Sequence, residues 1–569
     1  MRRIWAETLR ECSPRAWGAF YLDDGVLAGN VAAVRSTFDA FRTACSRHGL
    51  RINMDKCVVA APERWADEAR RSFPEFAFRD ELEILGAPCG SRGFCEDFAE
   101  AALSKAQRRL QLLANMGEHY PHEAAVCAQH TVVGSMPNHI ARSVGPCPAI
   151  EAFDDASRAF WESVSGCSFT PQQWDVACLP ASLGGLGVRS WSDHAICAFA
   201  ARIHDCRKQI AACPFAGGLE EPLPSSLLVD IQAQLELLGQ VKGSAQKALS
   251  LRVETCRRER IMEEAADPIA KARLVSSAAR GSFAWFSHPF GGLPVKRFWR
   301  SPAEFSILIR LRLGVPLFAR GSDCPFCGSR QDEVEAHILS CLRMGNRGIL
   351  HSYLKDAVKE VCNAAGHTVS MEAHCFPRDP TARIDLLALD GAVEWLVDVA
   401  CTNPISTSSR ASAAIRPGHA ATLYEGVKLQ RYGHLVPPGA RLVPFVVDML
   451  GAWGATAAEW GAKVGKQIAR RQRLYPGLGV QFVRASVGSA VARGVALLVM
   501  RALANSHDAA EADDGCADDV YDVSDDDDDA TPTRLPLSDD ANHTSGDVGE
   551  DAATGGSATP LLTARPQAL

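Results

Sequence analysis

The spacing of apolar and polar positions predicts a chain of short strands and longer helices. Near the start, the apolar stretches 19–20 and 26–28 are typical of two short strands joined by a tight turn. That turn would place the adjacent carboxylates of Asp23 and Asp24 at the tip of a hairpin. Apolar residues at helical spacing then predict an amphipathic helix that begins after Asn30, a residue type favoured at helix starts.

The middle of the chain has a mostly helical pattern. Residues 97–116 place leucines on one side and basic residues on the other, which predicts an amphipathic helix. Residues 301–314 begin with a capping box and a proline at the first helical position, and a glycine ends the helix. The glycine-rich stretch 179–187 lacks the Lys-Ser/Thr ending of a phosphate-binding loop, so we interpret it as a tight turn. Residues 217–224 are interpreted as a hinge between helices.

Two alternating segments near the carboxyl end predict a hairpin with an acidic face. Residues 383–389 and 393–400 flank Asp390-Gly391, a pair that favours tight turns. With these two residues as the loop, Leu389 pairs with Ala392, and Asp385 and Asp398 become diagonal neighbours on one face. The other face would be an apolar wall, formed by Ile384, Leu386, Trp395, Val397 and Val399.

Two carboxylates on adjacent strands can hold a divalent cation, and oxygen ligands favour magnesium or manganese. A helix-like segment follows, in which Lys428 and Tyr432 share a face, and then an apolar strand, 442–447. Glu394 would be a spare acid on the face of the two aspartates. In the alternative interpretation, one of these aspartates pairs with Arg383 in a purely structural hairpin.

A second group of candidate metal ligands precedes this hairpin. Cys324, Cys327, His337 and Cys341 supply three thiolates and an imidazole at spacings that suit tetrahedral zinc. Since the protein would fill all four positions, the Zn²⁺ would be structural. The alternative is a set of buried free thiols with a surface histidine, and His351 is a less favoured substitute ligand.

Composition is that of a large globular chain in a reducing compartment. The 569 residues are 47% hydrophobic and 22% charged, which is enough for several buried cores. The 20 cysteines are scattered and no apolar signal segment follows Met1, so we expect the nucleus or the cytoplasm. Because Arg493 and Arg501 interrupt the apolar stretch 487–504, we expect a packed amphipathic helix there and no membrane partner.

Charge is unevenly distributed. Residues 506–569 carry 17 acidic and 2 basic side chains, a net −15, although the whole chain carries only −7, so residues 1–505 are net basic. That tail has few large apolar residues and is predicted to be disordered. Basic clusters at 257–260 and 466–473 could bind DNA phosphates, although such clusters are more often solvated helix faces.

In their order along the chain, these features resemble the carboxyl-terminal part of a non-LTR (LINE-type) retrotransposon reverse-transcriptase protein. The resemblance rests on Tyr21-Leu22-Asp23-Asp24 between two strands, on the Cys-Cys-His-Cys motif, and on the segment 380–455, which is similar to a restriction-like endonuclease core. It implies an α+β, multidomain fold. The implied parts are a truncated palm (1–95), a thumb-like helical region (96–200), a helical linker (201–320), a zinc knuckle (321–345), a restriction-like endonuclease domain (346–505) and a disordered acidic tail (506–569).

The resemblance also implies roles for single residues. Asp385 and Asp398 would bind Mg²⁺ or Mn²⁺, and Lys428 would position the attacking water or stabilise phosphate charge, with Tyr432 as a further candidate. Ala400 stands where the family usually has a lysine two residues after the second acid, so Lys428 would have to supply that charge from the helix.

In the resembled polymerase, Asp23 and Asp24 would bind catalytic magnesium together with a further aspartate from an upstream strand. Residues 1–22 contain no aspartate, so we expect the polymerase half to be inactive alone and the nuclease half to nick DNA. The implied partners are element RNA and genomic target DNA, while the sequence indicates neither the target site nor an oligomeric state. The alternatives are a catalytically dead remnant that only binds nucleic acid, and a mis-started gene model of a full RNA-directed DNA polymerase.

Overall fold

A computed structural model describes most of the first 511 residues. The described residues are 1–511 without 14, 22–23, 135, 212–232, 235–243, 288–293, 296–297, 320, 331–333, 342 and 344–345. The predicted hinge at 217–224 and the acidic tail from residue 512 onward lie outside them. The first residues of that predicted tail, 506–511, are helical.

Within these residues the chain is mixed α+β and mostly helical. The strands are β1 (Trp17–Tyr21), β2 (Asp24–Ala28), β3 (Val58–Val59), β4 (Ala77–Phe78), β5 (Leu82–Ile84), β6 (Ala87–Cys89), β7 (Thr368–Ala373), β8 (Ile384–Asp390), β9 (Val393–Thr402) and β10 (Ala440–Asp448). The first helices are α1 (Arg2–Glu11), α2 (Val31–Arg47), α3 (Glu63–Ser72), α4 (Arg92–Gly117), α5 (Pro121–Ala128), α6 (Met136–Ser143), α7 (Pro148–Ser165), α8 (Pro171–Cys178) and α9 (Trp191–Ala211). The later helices are α10 (Ala245–Glu264), α11 (Pro268–Ser277), α12 (Pro302–Leu313), α13 (Val334–Ile338), α14 (Asn346–Ala365), α15 (Arg410–Ala413), α16 (His419–Tyr432), α17 (Ala455–Arg471) and α18 (Pro476–Glu511).

The amino-terminal hairpin forms where it was predicted. Strands β1 and β2 are antiparallel, and Tyr21 pairs with Asp24. The side chain of Asn30 accepts a hydrogen bond from the Ala33 N–H at 2.8 Å and so caps α2. Asp24 is exposed at the first position of β2, while Asp23 lies outside the described residues.

Helices α4 to α9, α11 and α12 contribute to a large apolar core that also includes residues of the carboxyl-terminal sheet. Its largest fully buried side chains include Phe153, Trp161, Trp191, Phe286 and Phe305. The buried residues of α10 pack with α9 in a separate small cluster. The predicted capping box, proline and terminal glycine of α12 are all present. The predicted turn at 179–187 is also confirmed.

The carboxyl-terminal sheet has four strands in the order β10-β9-β8-β7. Strand β8 is antiparallel to both β7 and β9, while β10 is parallel to β9. A parallel neighbour requires a crossover connection, and α15 and α16 supply it between β9 and β10. The predicted order of strand, strand, helix and strand is therefore present. It is preceded by α14 and β7, which were not predicted.

The predicted register of the β8–β9 hairpin is wrong by two residues. Leu389 pairs with Glu394, and Asp390 pairs with Val393, so the loop is Gly391-Ala392. Asp390 stays in the strand, and its Oδ2 accepts a hydrogen bond from Gln467 Nε2 at 2.7 Å. Gly391 instead takes the first loop position, with φ +61°, as a tight hairpin turn requires.

The corrected register moves the two aspartates closer together. Leu386 pairs with Val397, so continuing by one residue places Asp385 directly opposite Asp398 and not diagonal to it. Because the shift is an even number of residues, both carboxylates stay on the predicted face. The apolar wall forms on the other face from Leu386, Trp395, Val397 and Val399, whereas Ile384 packs in a separate cluster with Phe376 and Leu396.

The apolar carboxyl-terminal helix α18 contacts α12, α14 and α17. Among the described residues, its segment Pro476–Ser506 is the one helix long and apolar enough to cross a membrane. The chain buries 61% of the most apolar 18-residue window of that segment. The helix thus has the packing of a core element.

Candidate functional site

The candidate site centres on Asp398, which β9 carries into the interior. Its side chain is only 6% exposed, and that of Lys428 on α16 is 15% exposed. Lys428 Nζ lies 2.9 Å from Asp398 Oδ2, with the geometry of an ion pair and not of an aligned hydrogen bond. The structure therefore brings together the predicted acid and the predicted lysine.

Asp385, on the neighbouring strand, is held from two directions. Its Oδ2 accepts a hydrogen bond from the Val399 N–H at 2.7 Å. His351 Nε2 lies 3.3 Å from the same oxygen and 3.2 Å from the Val399 carbonyl oxygen. Because both neighbours are acceptors, the Nε2 atom of His351 carries a proton. His351 thus belongs to the acidic site and not to the zinc motif.

The two carboxyl groups have pKa values that are shifted in opposite directions. Burial raises the pKa of Asp398, and the nearby Asp385 charge adds to this, although Lys428 acts against it. Burial would also raise the pKa of Asp385, but hydrogen bonds and charge from His351, with the Val399 N–H, leave it below its usual value. Opposed shifts in one small cluster are typical of functional sites.

The setting of Lys428 keeps its ammonium charged. Burial would lower the pKa of Lys428, but the Asp398 carboxylate outweighs this and leaves it raised. The rings of Tyr424 and Tyr432, one helical turn to either side, have centroids 5.8 and 5.9 Å from Nζ. Tyr432 is stacked on Phe376 with centroids 6.0 Å apart, so it flanks the lysine as a cation–π neighbour.

A buried carboxylate fixes the helix that carries Lys428. Glu425, which is 2% exposed, accepts hydrogen bonds from the Thr456 and Ala457 N–H groups at 3.0 and 2.9 Å. These are free amides of the first turn of α17, so Glu425 caps that helix from α16. A side chain at Gly454 would lie 2.2 Å from Glu425 Oε1 and would therefore displace the capping carboxylate.

A third acid lies beside Asp385 on β7. The pairs on either side, Met371 with Leu386 and Ala373 with Ile384, place Glu372 level with Asp385. Glu372 contacts Lys355 Nζ, and Arg383 Nε lies 3.3 Å from its Oε2. The structure therefore pairs Arg383 with Glu372 and not with either aspartate.

Glu372 and the role of α14 were not predicted from the sequence. His351 and Lys355 are four residues apart on α14, so they share the face that contacts Asp385 and Glu372. This spacing is visible in the sequence. Glu394, the predicted spare acid, pairs with Leu389 beside the hairpin loop, far along the strand from Asp398, and is exposed.

The four predicted zinc ligands converge in space. The Sγ atoms of Cys324, Cys327 and Cys341 and a ring nitrogen of His337 all lie within 4.8 Å of one another. Zn–S bonds of about 2.3 Å in a tetrahedron imply ligand separations of roughly 3.8 Å, so the cluster is close to the size that zinc requires. Among the described residues, it is the one group of three or more such side chains with this spacing.

The cysteines of this cluster differ in their acidity. Hydrogen bonds from Ser329, with a further one from His337, lower the pKa of Cys327 to about 6. Burial raises the pKa of Cys324 to about 11. Metal ligation requires thiolates, and of these two thiols Cys327 loses its proton more readily.

A cleft of about 1100 Å³ is lined by one residue of the cysteine cluster and by two residues of the acidic site. His337 and Ser340 line one part of it, and His351 and Lys428 line another. Hydroxyl-rich residues 406–410 also line the cleft. Neither aspartate lines the cleft, but each contacts a residue that does, Asp385 through His351 and Asp398 through Lys428.

The two predicted basic clusters differ in their availability. In the first, Arg257 pairs with Asp175 and Asp193, and Arg260 lies 2.9 Å from Asp175 Oδ2. In the second, Lys466, Arg470, Arg471 and Arg473 are exposed, with no ion-pair partner among the described residues. The second cluster is therefore the one that can offer its charge to a polyanion.

A scan against protein-family models and a search of curated proteins both found no match to this chain.

Proposed function

We propose that this chain derives from a non-LTR retrotransposon reverse-transcriptase protein, and that its carboxyl-terminal α/β region is a divalent-metal-dependent DNA endonuclease. The observation that carries the proposal is the position of Asp385 opposite Asp398 with Lys428 Nζ at 2.9 Å from Asp398 Oδ2. Support also comes from the order β10-β9-β8-β7 with a parallel last strand, because the resembled endonuclease core has this strand, strand, helix, strand sequence.

Asp385 and Asp398 are the residues that would hold Mg²⁺ or Mn²⁺, since oxygen ligands from two adjacent strands suit such an ion. When bound, the ion would supply charge neutralisation at the scissile phosphate and a more acidic water. Lys428 would act as a cation toward a phosphate oxygen and not as a base, because its raised pKa keeps it protonated at neutral pH. His351 would orient the Asp385 carboxylate by donating from Nε2.

The Cys324–Cys341 cluster would hold structural Zn²⁺, with all four positions filled by protein. The exposed basic residues of 466–473 would contact the DNA backbone outside the cleft. RNA as a partner, a polymerase role of Asp23 and Asp24, and a location in the nucleus or cytoplasm stay predictions from the sequence.

A second candidate function is nucleic-acid binding without catalysis. It is favoured by the burial of Asp398, whose carboxylate is occupied by Lys428. In this case the cleft and basic residues would bind DNA, and the acids would serve only the fold.

The two functions separate in one experiment with supercoiled plasmid. In the presence of Mg²⁺ we expect the intact chain to nick the plasmid and Asp398→Ala to bind it without nicking. A gel-shift assay with the same plasmid measures binding independently. Binding without nicking by the intact chain would overturn the endonuclease proposal and support the second function.

A further inference from the structure

A single buried side chain, Asn403, joins the zinc motif to the strand that carries Asp398. Asn403 directly follows β9 and is 4% exposed. Its Nδ2 donates hydrogen bonds to the Ala336 carbonyl oxygen and to Ser340 Oγ, both at 2.8 Å. Its Oδ1 accepts a hydrogen bond from the Ile405 N–H at 3.1 Å. Three of its four hydrogen-bonding positions are thus used within the chain.

The acceptors on the zinc side are next to the ligands. Ala336 precedes His337 on α13, and Ser340 precedes Cys341. The Ser340 N–H also donates to the His337 carbonyl oxygen at 2.8 Å. Asn403 therefore holds the half of the cluster that supplies His337 and Cys341.

On its other side, Asn403 begins the loop that lines the cleft. Ser406 Oγ donates to the Asn403 carbonyl oxygen at 3.0 Å, and the Arg410 N–H donates to the Ser406 carbonyl oxygen at 2.9 Å. Residues 406–410 line the same cleft as His337 and Lys428. The loop, the zinc ligands and the strand of Asp398 thus share one hydrogen-bonded connection.

We propose that Asn403 is a positioning residue that couples occupancy of the zinc site to the shape of the cleft. A bound ion fixes His337 and Cys341 relative to the other two ligands, and so fixes the two acceptors that Asn403 needs. Without the ion these acceptors can move away, which leaves a buried amide unsatisfied, a state that proteins avoid. Residues 403–410 then lose their anchor.

The consequence for DNA cleavage rests on the proposed endonuclease, whereas the coupling itself does not. If residues 403–410 form the wall of a substrate cleft, then loss of zinc impairs cleavage without touching Asp385 or Asp398. The zinc motif would then support the shape of the nuclease site without contributing a reacting atom.

Amide hydrogen exchange measured by mass spectrometry tests the coupling in the full chain. The samples are the zinc-loaded chain, the chain stripped with a chelator, zinc-loaded Asn403→Ala, and zinc-loaded Asn363→Ala as a control at an exposed asparagine of α14. We expect exchange in 403–410 to accelerate at least about tenfold, equivalent to ~1.4 kcal/mol, in the stripped chain and in Asn403→Ala. The control is expected to match the zinc-loaded chain.

Exchange in the core helix α12 shows whether any change is local. Unchanged exchange in 403–410 of zinc-loaded Asn403→Ala would overturn the coupling, even if the stripped chain unfolds as a whole. We also expect Asn403→Ala to release zinc to a chelator faster than Asn363→Ala, and equal release rates would contradict the proposal. Neither readout requires nicking, so failure of the coupling and failure of the endonuclease proposal are distinguishable.

Discussion

Lys428 Nζ lies 2.9 Å from Oδ2 of Asp398, and both side chains are largely removed from solvent. Breaking one half of such a pair leaves an uncompensated buried charge, which is far more costly than removing both halves. Lys428 lines the cleft, whereas Asp398 does not. An ion that binds Asp398 must therefore share the carboxylate with Lys428 or displace it.

The first prediction concerns the stability of this pair. Lys428→Met is expected to destabilise the fold by about 3 kcal/mol, because it strands a buried carboxylate. The pKa of Asp398 is already raised by burial and should rise further without the lysine. A carboxyl group whose pKa is raised on folding makes the fold less stable as the pH increases, so the loss should be larger at pH 8 than at pH 6. Urea unfolding at the two pH values measures both effects.

The double variant Lys428→Met/Asp398→Asn should recover most of that stability, because no buried charge is left. Lys466→Met, at an exposed lysine of α17, is the control and should change stability little. Equal destabilisation by the single and double variants would show that the ion pair is not the cause.

The second prediction concerns His351. The Asp385 carboxylate raises the pKa of His351, while that of Asp385 is lowered. A histidine whose pKa is raised on folding stabilises the fold below its unfolded pKa of about 6.5, and this contribution is lost as the pH rises through its folded pKa. An aspartate whose pKa is lowered on folding loses its contribution as the pH falls below its unfolded pKa of about 3.9. Their mutual stabilisation is thus greatest between these limits.

NMR titration of isotope-labelled histidines measures the effect directly. The His351 resonance is assigned by its absence in His351→Gln. Its pKa should be raised above the usual histidine value in the intact chain and should be lower in Asp385→Asn. An unchanged titration midpoint in Asp385→Asn would contradict the contact.

The third prediction concerns Asp448, which anchors the end of β10. It is fully buried, accepts hydrogen bonds from the Leu450 and Ala452 N–H groups at 2.9 Å, and contacts Ser276 Oγ of α11. Burial raises its pKa to about 6. A carboxyl group whose pKa is raised on folding stabilises the fold most below its unfolded pKa of about 3.9, and progressively less as the pH increases through 6.

Asp448→Asn keeps the acceptor oxygen and removes the charge. Relative to this variant, the intact chain should therefore lose ~1 kcal/mol of unfolding free energy between pH 5 and pH 7. Chemical denaturation at both pH values tests this, and a constant difference between the two proteins would refute the shifted pKa. Asp448→Ala, which removes the acceptor as well, should be destabilised at both pH values.

The fourth prediction concerns the metal content of the cysteine cluster. The purified chain should carry about one zinc per chain, because four protein ligands complete a tetrahedral site. Cys327→Ser should lose the metal, and Cys256→Ser, at an exposed cysteine of α10, should retain it. A colorimetric zinc assay on the denatured proteins measures this, and equal zinc in both variants would exclude Cys327 as a ligand.

Much of this site follows from local sequence patterns, and the rest depends on long-range packing. The spacing of Cys324 to Cys341 and the alternation around Asp385 and Asp398 are local, so the ligands and the acidic face were predictable. The register was not predictable, because a loop at Gly391-Ala392 is as compatible with the sequence as one at Asp390-Gly391. The observed register is accompanied by a hydrogen bond from Gln467 to Asp390, a contact between residues far apart in the sequence.

The contacts of His351 and Asn403 could not be predicted from the sequence for a different reason. Helical spacing identifies a face of α14, but it does not show which strands that face meets. Asn403 directly follows an apolar strand and carries no motif, and only the fold brings it to Ser340.

The most direct test of the endonuclease is the single-turnover rate of plasmid nicking in Mg²⁺. It is measured for the intact chain, for Asp385→Asn and Asp398→Asn, and for the control Asp356→Asn, which changes an exposed aspartate of α14. We expect the intact chain and the control to nick at the same rate, and each site variant to be slower by a factor on the order of 10² or more, the scale seen when one charge-stabilising group is removed. Chelation of Mg²⁺ should abolish nicking in all four. Nicking by Asp398→Asn at the rate of the control, or none by the intact chain, would contradict the assignment of the catalytic site to Asp385, Asp398 and Lys428.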